Sequence, residues 1–327
     1  METLTPYICT IVVTYNRYAL LKECLQSLLE QTFATDIVIV DNASTDGTPE
    51  RLQSEGFLQH ACMTYLRLEE NLGGAGGFYE GCKHALAKGY DFAWLMDDDA
   101  EPEITALKRI VDVMRETRFS YVAYAPQVRI GTPSSHTLST FGHRGRFDYV
   151  HTLPAFQRPL ATTVFEQKTV PIDMASFVGI LVSKTAMQTI GLPKKEFFIH
   201  HDDTEYSLRL AALGKILLIN DARIFHKEKR QEEKIERHAW GMRKNRIRFE
   251  MLWLKYFGLR NSIYLAKTYA KSPRVWWDIA VLYTTLIKDI ILYDDHKWLR
   301  LKFATHSVCD GLRGHFDNTK AKRLLHV

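Results

Sequence analysis

Three consecutive carboxylates, Asp97-Asp98-Asp99, close the apolar run Phe92-Ala93-Trp94-Leu95-Met96. Five apolar residues read as a short buried strand, and the acids fall where it must end. Successive side chains of an extended chain point to opposite sides, so Asp97 and Asp99 face the same way. Two carboxylates on one side repel unless a cation lies between them. Oxygen ligands of this kind suit Mg2+ or Mn2+, ions that commonly also hold substrate phosphates. A solvated acidic turn is the plainer alternative. A second acidic group, Asp202-Asp203 with Glu205, leads into apolar positions Leu208, Leu210, Ala211 and Leu213 at helical spacing. A carboxylate there could cap the helix, or take a proton from a reacting hydroxyl. Glu205 could meet a sugar hydroxyl or fix the loop. His226 ends the run Ile224-Phe225. A lone histidine is usually structural, but with an aspartate pair elsewhere it becomes a candidate third metal ligand.

The glycines of Asn71-Leu72-Gly73-Gly74-Ala75-Gly76-Gly77 follow a strand-like run. Their backbone N–H groups could cradle a phosphate. Equally, they could let a helix pack close to a sheet. No Gly-Lys-Ser/Thr follows, and the GxGxxG register is missing, so neither a P-loop nor a dinucleotide fingerprint is present. Asp41, at the end of Ile37-Val38-Ile39-Val40, could accept from a ribose hydroxyl or a base; a cap is the alternative. Arg17 could meet a base or phosphate, or be solvated.

The elements that must position these residues alternate. Residues 7–13, 37–41, 63–68 and 92–96 read as strands. Helical spacing fills 19–30, a short stretch through Leu52, and the stretch from the glycines to Ala87. Such alternation implies a mainly parallel sheet covered on both faces, with ligands beyond the carboxyl ends of the strands. Thr14–Arg17, Asp41-Asn42, the glycines and the Asp triplet then share one edge. A helix is expected from Pro102-Glu103 to about Arg118, and a strand over 121–125. Hairpins or a flap are expected within 126–170. After a β-rich run over 170–182, a helix starts near Ser183. Two short strands, 216–219 and 223–226, precede a helical, basic and aromatic pattern from residue 231 on.

The chain of 327 residues can bury one large core plus a smaller appendage. Its net charge of +5 hides an asymmetry. Residues 1–226 hold 21 Lys and Arg against 27 Asp and Glu, and residues 227–327 hold 22 against 11. A basic last third needs an anionic neighbour: a membrane surface, a nucleic acid or a phosphorylated substrate. A nucleic acid fits poorly, because acidic cleft residues repel phosphates without a metal. The five cysteines form no CxxC pair and read as reduced thiols of a cytosolic protein. Met1–Pro6 carries no basic or apolar stretch, so a secretory signal is not expected. Charged residues interrupt the apolar run 275–292, so it is not expected to span a membrane.

Together Thr14-Tyr15-Asn16-Arg17, Val40-Asp41-Asn42-Ala43-Ser44-Thr45-Asp46-Gly47, Met96-Asp97-Asp98-Asp99 and His201-Asp202-Asp203-Thr204-Glu205-Tyr206 resemble the ordered motifs of family 2 glycosyltransferases. The resemblance covers roughly residues 7–226, and the glycine stretch resembles the branch of bacterial galactofuranosyltransferases. It implies an α/β GT-A fold: a Rossmann-like, mainly parallel nucleotide-sugar-binding sheet followed by a helical C-terminal region. Residues 1–228 would be catalytic, with a donor half to about 125 and an acceptor half after it; residues 229–327 would form the basic, aromatic remainder.

By motif, Thr14, Arg17 and Asp41 would hold the nucleotide, with Asn71 and Gly73, Gly74, Gly76 and Gly77 near the diphosphate. Asn16, Asn42, Asp98, Asp202 and Glu205 would also meet substrate. Asp97, Asp99 and His226 would bind Mg2+ or Mn2+, and Asp203 would be the catalytic base of an inverting transfer. The implied partners are a UDP-linked donor, UDP-galactofuranose, and a glycan or lipid-linked glycan acceptor of a bacterial surface polysaccharide. A dTDP-rhamnose donor and a non-catalytic assembly subunit are the competing readings. The tail's Trp253, Trp276, Trp277 and Trp298 could rest on an anionic membrane at its cytoplasmic face, or pack on the catalytic domain or another subunit, including a second copy.

Overall fold

The computed structural model describes residues 5–132, 141–154, 156–227, 234–239 and 241–325. The chain runs β1 (Ile8–Thr14), α1 (Tyr18–Leu29), β2 (Asp36–Asp41), α2 (Thr48–Ser54), β3 (Met63–Arg67), α3 (Gly73–Lys88) and β4 (Phe92–Asp97). It continues through β5 (Ala100–Pro102), α4 (Ala106–Glu116), β6 (Ala123–Ile130), β7 (Phe141–Gly142), β8 (Arg144–Phe147), β9 (Gln157–Pro159) and β10 (Thr169–Ile172). Next come β11 (Met174–Ala175), β12 (Ile180–Ser183), α5 (Lys184–Ile190), α6 (Asp202–Leu213) and β13 (Ile216–His226). The last elements are β14 (Lys234–Ala239), β15 (Met242–Ile247), α7 (Leu252–Tyr269), α8 (Val275–Tyr293), α9 (Lys297–Arg313) and α10 (Lys320–Leu325).

The main sheet has the order β10-β13-β6-β12-β4-β1-β2-β3. β1 is buried along its whole length, as expected for a strand with helices on both faces. Alternate residues feed two cores. Ile8, Val12, Ile37, Ile39, Trp94 and Met96 join the cluster that includes the buried faces of α1 and α4. Cys9, Ile11, Val13, Val38, Val40 and Leu95 join the cluster of Phe78, Cys82 and Tyr206. The helices supply matching stripes: Leu21, Cys24, Leu25 and Leu28 on α1, and Leu107, Ile110, Val111 and Met114 on α4.

Register explains why polar groups converge at one edge. Parallel pairing sets Thr14 beside Asp41, Val13 beside Asp97, and Asp41 beside Arg67. The strands β1 to β4 therefore end together. β12 then runs antiparallel to β4, and β13 runs parallel to β6.

Four expectations need correction. Pro102 does not start a helix: Ala100–Pro102 is a short strand that pairs antiparallel with Ile224–His226, and α4 begins at Ala106. The strand expected over 121–125 runs from Ala123 to Ile130. The two short strands around 216–226 are one strand, β13, with a bulge between Ile219 and Arg223. Asn220 and Asp221 look like a turn, but the Asn220 amide donates to the carbonyls of Val164 and Gln167 and holds the bulge within the strand. The region from 231 is not uniformly helical, since β14 and β15 form an antiparallel hairpin. Of the expected hairpin region, residues 133–140 and 155 lie outside the described residues.

The chain divides into two compact units: 1–146 with 159–195 and 203–228, and 147–158 with 196–202 and 229–327. Within the second, Arg260 and Asn261 of α7 are buried and hold the 196–200 segment. Arg260 donates to the carbonyls of Glu196 and Phe197, and Asn261 to those of Phe197, Ile199 and His200. α7 and α9 pack closely enough that a Cβ on Gly311 would lie 2.5 Å from the Arg260 carbonyl oxygen. Among the described residues no helix is long and apolar enough to cross a membrane.

Candidate active site

The turn after β4 sorts the three aspartates. Asp98 points back at the end of β1: Thr14 Oγ1 donates to its Oδ2 at 2.8 Å, and Arg17 Nη1 lies 2.9 Å from its Oδ1. Asp97 and Asp99 instead gather with His226, their ligand atoms all within 4.8 Å of one another. The short β5–β13 pairing brings the histidine there, by setting His226 opposite Ala100. His226 Nε2 lies 2.9 Å from Asp99 Oδ1. Arg17 Nη2 reaches Asp99 Oδ2 at 2.5 Å while its side chain stays 43% exposed.

These groups tune one another. Burial and the neighbouring Asp99 push Asp97 above the usual carboxylate range, against the pull of His226 and Arg17. Burial also raises Asp98, opposed by Arg17 and by the Thr14 hydroxyl. For Asp99 burial acts upward, but His226 and Arg17 outweigh it and hold the group well below its ordinary value. Burial lowers His226, and Asp99 and Asp97 more than reverse that. Asp99 Oδ1 is buried, and its close neighbour is His226 Nε2 at 2.9 Å. Two carboxylates and an imidazole whose ligand atoms lie within 4.8 Å of one another fit Mg2+ or Mn2+.

Asp203 stands in the first turn of α6, half-buried, with its Oδ1 accepting from the Thr204 N–H at 2.6 Å. It is close enough to raise Asp97 and to oppose the lowering of Arg144. Burial drives that guanidinium down to about 9. Asp202, the first residue of α6, is buried. Glu205 pairs with Arg209 at 2.7 Å, and Arg209 also donates to the carbonyls of Ile190 and Leu192. Through Arg209, Glu205 is tied to the end of α5 and the chain that follows it.

At the other end of the cleft edge, Asp41 is fully buried. Its oxygens accept from the Ser44 N–H at 2.8 Å and from the Tyr65 hydroxyl at 2.5 Å. It does not cap α2, whose N-cap is Gly47. Asn16 laces this loop to the first: its N–H donates to Ser44 Oγ, and its Oδ1 accepts from the Thr45 N–H. Asn42 Oδ1 accepts from the Leu72 N–H, and Asn71 Oδ1 from the Gly73 N–H. Gly73 opens α3 with φ +73. Gly74 has open space where a Cβ would be, whereas Gly76 and Gly77 face Leu72 and Val13 at 2.3 and 2.4 Å. Gly77 therefore serves close packing of α3 on β1. A cavity of about 350 Å3 is lined by Glu23, Glu30, Glu101 and Glu103, and none of the three aspartates lines it.

Sequence reasoning missed Tyr65, His143 and Arg144. Tyr65 sits in a strand where an aromatic residue is ordinary. His143 and Arg144 lie in a stretch with no periodicity, so no signal marked them.

The sequence model described as Glycosyl transferase family 2 matches residues 9–181, more than half of the chain. This chain belongs to glycosyl transferase family 2. A galactofuranosyltransferase, GlfT1 of Mycobacterium tuberculosis (strain ATCC 25618 / H37Rv), is 31% identical over 213 residues. The match covers 64% of this chain and 66% of that relative, a little under two thirds of its length. A crystal structure of GalNAc-T7 with UDP, GalNAc and Mn2+ superposes with a TM-score of 0.60 at 15% identity, over 98% of this chain and 58% of that one. S. aureus TarS 1-349 gives 0.52 at 16% identity, over 98% and 86%. At such identities the likeness speaks for the fold, and the family 2 chain has the GT-A fold.

Proposed function

We propose that this family 2 chain is a metal-dependent inverting glycosyltransferase. It moves galactofuranose from UDP-galactofuranose to a hydroxyl of a growing bacterial surface polysaccharide, such as O-antigen, capsule or cell-wall glycan. One observation carries the reading: Asp97, Asp99 and His226 converge at the aligned strand ends, with Asp203 close by. The donor assignment rests on the galactofuranosyltransferase relative.

Asp97, Asp99 and His226 would hold a Mg2+ or Mn2+ ion, which supplies Lewis acidity to the departing diphosphate. Asp203 accepts the proton of the acceptor hydroxyl. The freed oxygen pair forms the new C–O bond at the anomeric carbon as the bond to the diphosphate oxygen breaks, with inversion. Thr14 and Arg17 hold Asp98, and the exposed part of the Arg17 guanidinium keeps donors for the nucleotide. Asp41, fixed by Ser44 and Tyr65, shapes the loop that meets ribose and base. Asn42, Asn71 and the open side of Gly74 lie at the start of α3, suited to the diphosphate.

We also assign peripheral contact with an anionic membrane to the second unit, as suits a lipid-linked acceptor on the cytoplasmic face. Trp276, Trp277 and Trp298 are 56%, 67% and 80% exposed. Part of that unit's basic charge is already spent: Lys244 and Arg246 pair with Asp289, and Arg246 also with Asp294. The aromatic residues therefore carry more of this argument than net charge.

A nucleotide-release assay with Mg2+ or Mn2+ tests the central claim. UDP should be released from UDP-galactofuranose and lost in Asp99→Ala. Asp203→Asn should lower turnover by about 10²–10⁴-fold. Release only from dTDP-rhamnose overturns the donor, and full activity of Asp99→Ala overturns the metal site.

A further inference from the structure

The ring of His226 has two faces to its chemistry. Its Nε2 looks at Asp99, and its Nδ1 lies 3.0 Å from Nε2 of His143. The two rings meet edge to face, with centroids 4.6 Å apart at 90°. A metal-ligating imidazole must offer a lone pair on one nitrogen, and the partner of the other nitrogen decides which tautomer does so. For His226 Nε2 to bind an ion, Nδ1 must carry the proton and donate it. The acceptor within reach is His143 Nε2.

His143 is built for a fixed position. Its φ of +61 lies in the left-handed region, uncommon for a residue with a Cβ. Two donors hold its carbonyl: the Ser176 N–H at 3.0 Å and Arg144 Nη1 at 2.7 Å. Arg144 is itself buried, and its other donors reach the carbonyls of Pro126 at 2.8 Å and Val178 at 2.7 Å. A guanidinium spread over three backbone carbonyls ties His143 to β6 and to the segment before β12.

We propose that His143 is a positioning residue for the metal centre: it accepts the His226 Nδ1–H and fixes the ring so that Nε2 faces Asp97 and Asp99. Arg144 and Ser176 hold His143 in place. This inference rests on the metal-dependent reading of the same site.

The test uses the full chain with Mn2+ alone, and with Mn2+ plus UDP or dTDP. Electron paramagnetic resonance measures bound against free Mn2+, and its pulsed form detects nitrogen coupled to the bound ion. Wild type should bind Mn2+ with imidazole coupling that His226→Ala removes. His143→Asn tolerates the left-handed backbone but falls short of His226, so Mn2+ affinity should drop about 10–100-fold with weakened coupling. His143→Gln, whose Oε1 can accept the same proton, should recover most of both. Long-range proton–nitrogen NMR of wild type with Mg2+ should show His226 protonated at Nδ1, which needs no variant. No bound Mn2+ in wild type under any condition overturns the metal reading itself. Wild-type affinity and coupling in His143→Asn, no recovery in folded His143→Gln, or His226 protonated at Nε2 overturns the role of His143 alone.

Discussion

Replacing Gly77 by alanine should push α3 off the sheet beside Val13 and Asn42. Gly77 and Gly81 both lie on the face of α3 that meets β1. A Cβ at 77 would stand 2.4 Å from Val13 Cγ1 and 3.0 Å from Asn42 Nδ2, and one at 81 would stand 2.3 Å from Ile11 Cγ2. Carbon atoms in comfortable contact are about 3.5–4.0 Å apart, so either change asks for a shift of about 1 Å or more. Val13 and Ile11 are buried and β-branched, so their methyl groups cannot swing clear. Overpacking of this kind costs about 1–3 kcal/mol, and alanine's better helix propensity offsets roughly 1, leaving a loss of up to about 2 kcal/mol for each variant. Function should separate the two. Gly77 lies in the second turn of α3 against Asn42, whereas Gly81 lies one turn further on. Gly77→Ala should therefore lower kcat/KM for the donor beyond what its stability loss explains, and Gly81→Ala should lose stability alone. Urea unfolding and nucleotide release read the two effects. A Gly77→Ala protein more stable than wild type by the full propensity gain of about 1 kcal/mol would refute the close packing. Equal activity deficits in the two variants would break the link between the start of α3 and the donor.

Two further outcomes are expected. Vesicles of anionic lipid should retain the full chain, and Trp276→Ser/Trp277→Ser should reduce retention several-fold at unchanged Tm; undiminished retention would assign the contact elsewhere. Burial holds His201 down at about 4, below its value near 6.5 in an unfolded chain. The unfolded state therefore takes up the proton first, so stability is whole above about pH 6.5 and falls as pH drops towards 4. His201→Asn, compatible with the φ of +63, should flatten the acid side of the Tm curve; an unchanged acid side would refute this.

The first strands and helices, through β4, were readable because their physics is local. β1, β2 and β4 are unbroken apolar runs with turn formers or acids at their ends, and burial on both faces writes that pattern directly. The grouping of Asp97 with Asp99 was also readable, although a turn rather than an extended strand produces it. Three-residue β5 has no period to detect, and its proline invites a helix start. The bulge of β13 hides a strand behind Asn220 and Asp221, whose side-chain bonds are long-range. In the β14–β15 hairpin only β14 alternates exposed and intermediate positions, and apolar residues are few, so its charges mask it. His143 was invisible for a different reason. Its meaning comes from a neighbour that the tertiary fold alone supplies.

The pairing of β5 with β13 has a bearing on how the protein is made. Synthesis delivers the aspartates early and the imidazole late, after the family-matched residues 9–181 are complete. β13 is not an edge strand: it must enter between β6 and β10, and only then does its last residue come to rest opposite Ala100. Long-range strand insertion is among the slower steps of folding. A chain that stops before β13 thus carries Asp97 and Asp99 without His226 beside them. On the proposed metal reading, ion binding would then report a finished sheet.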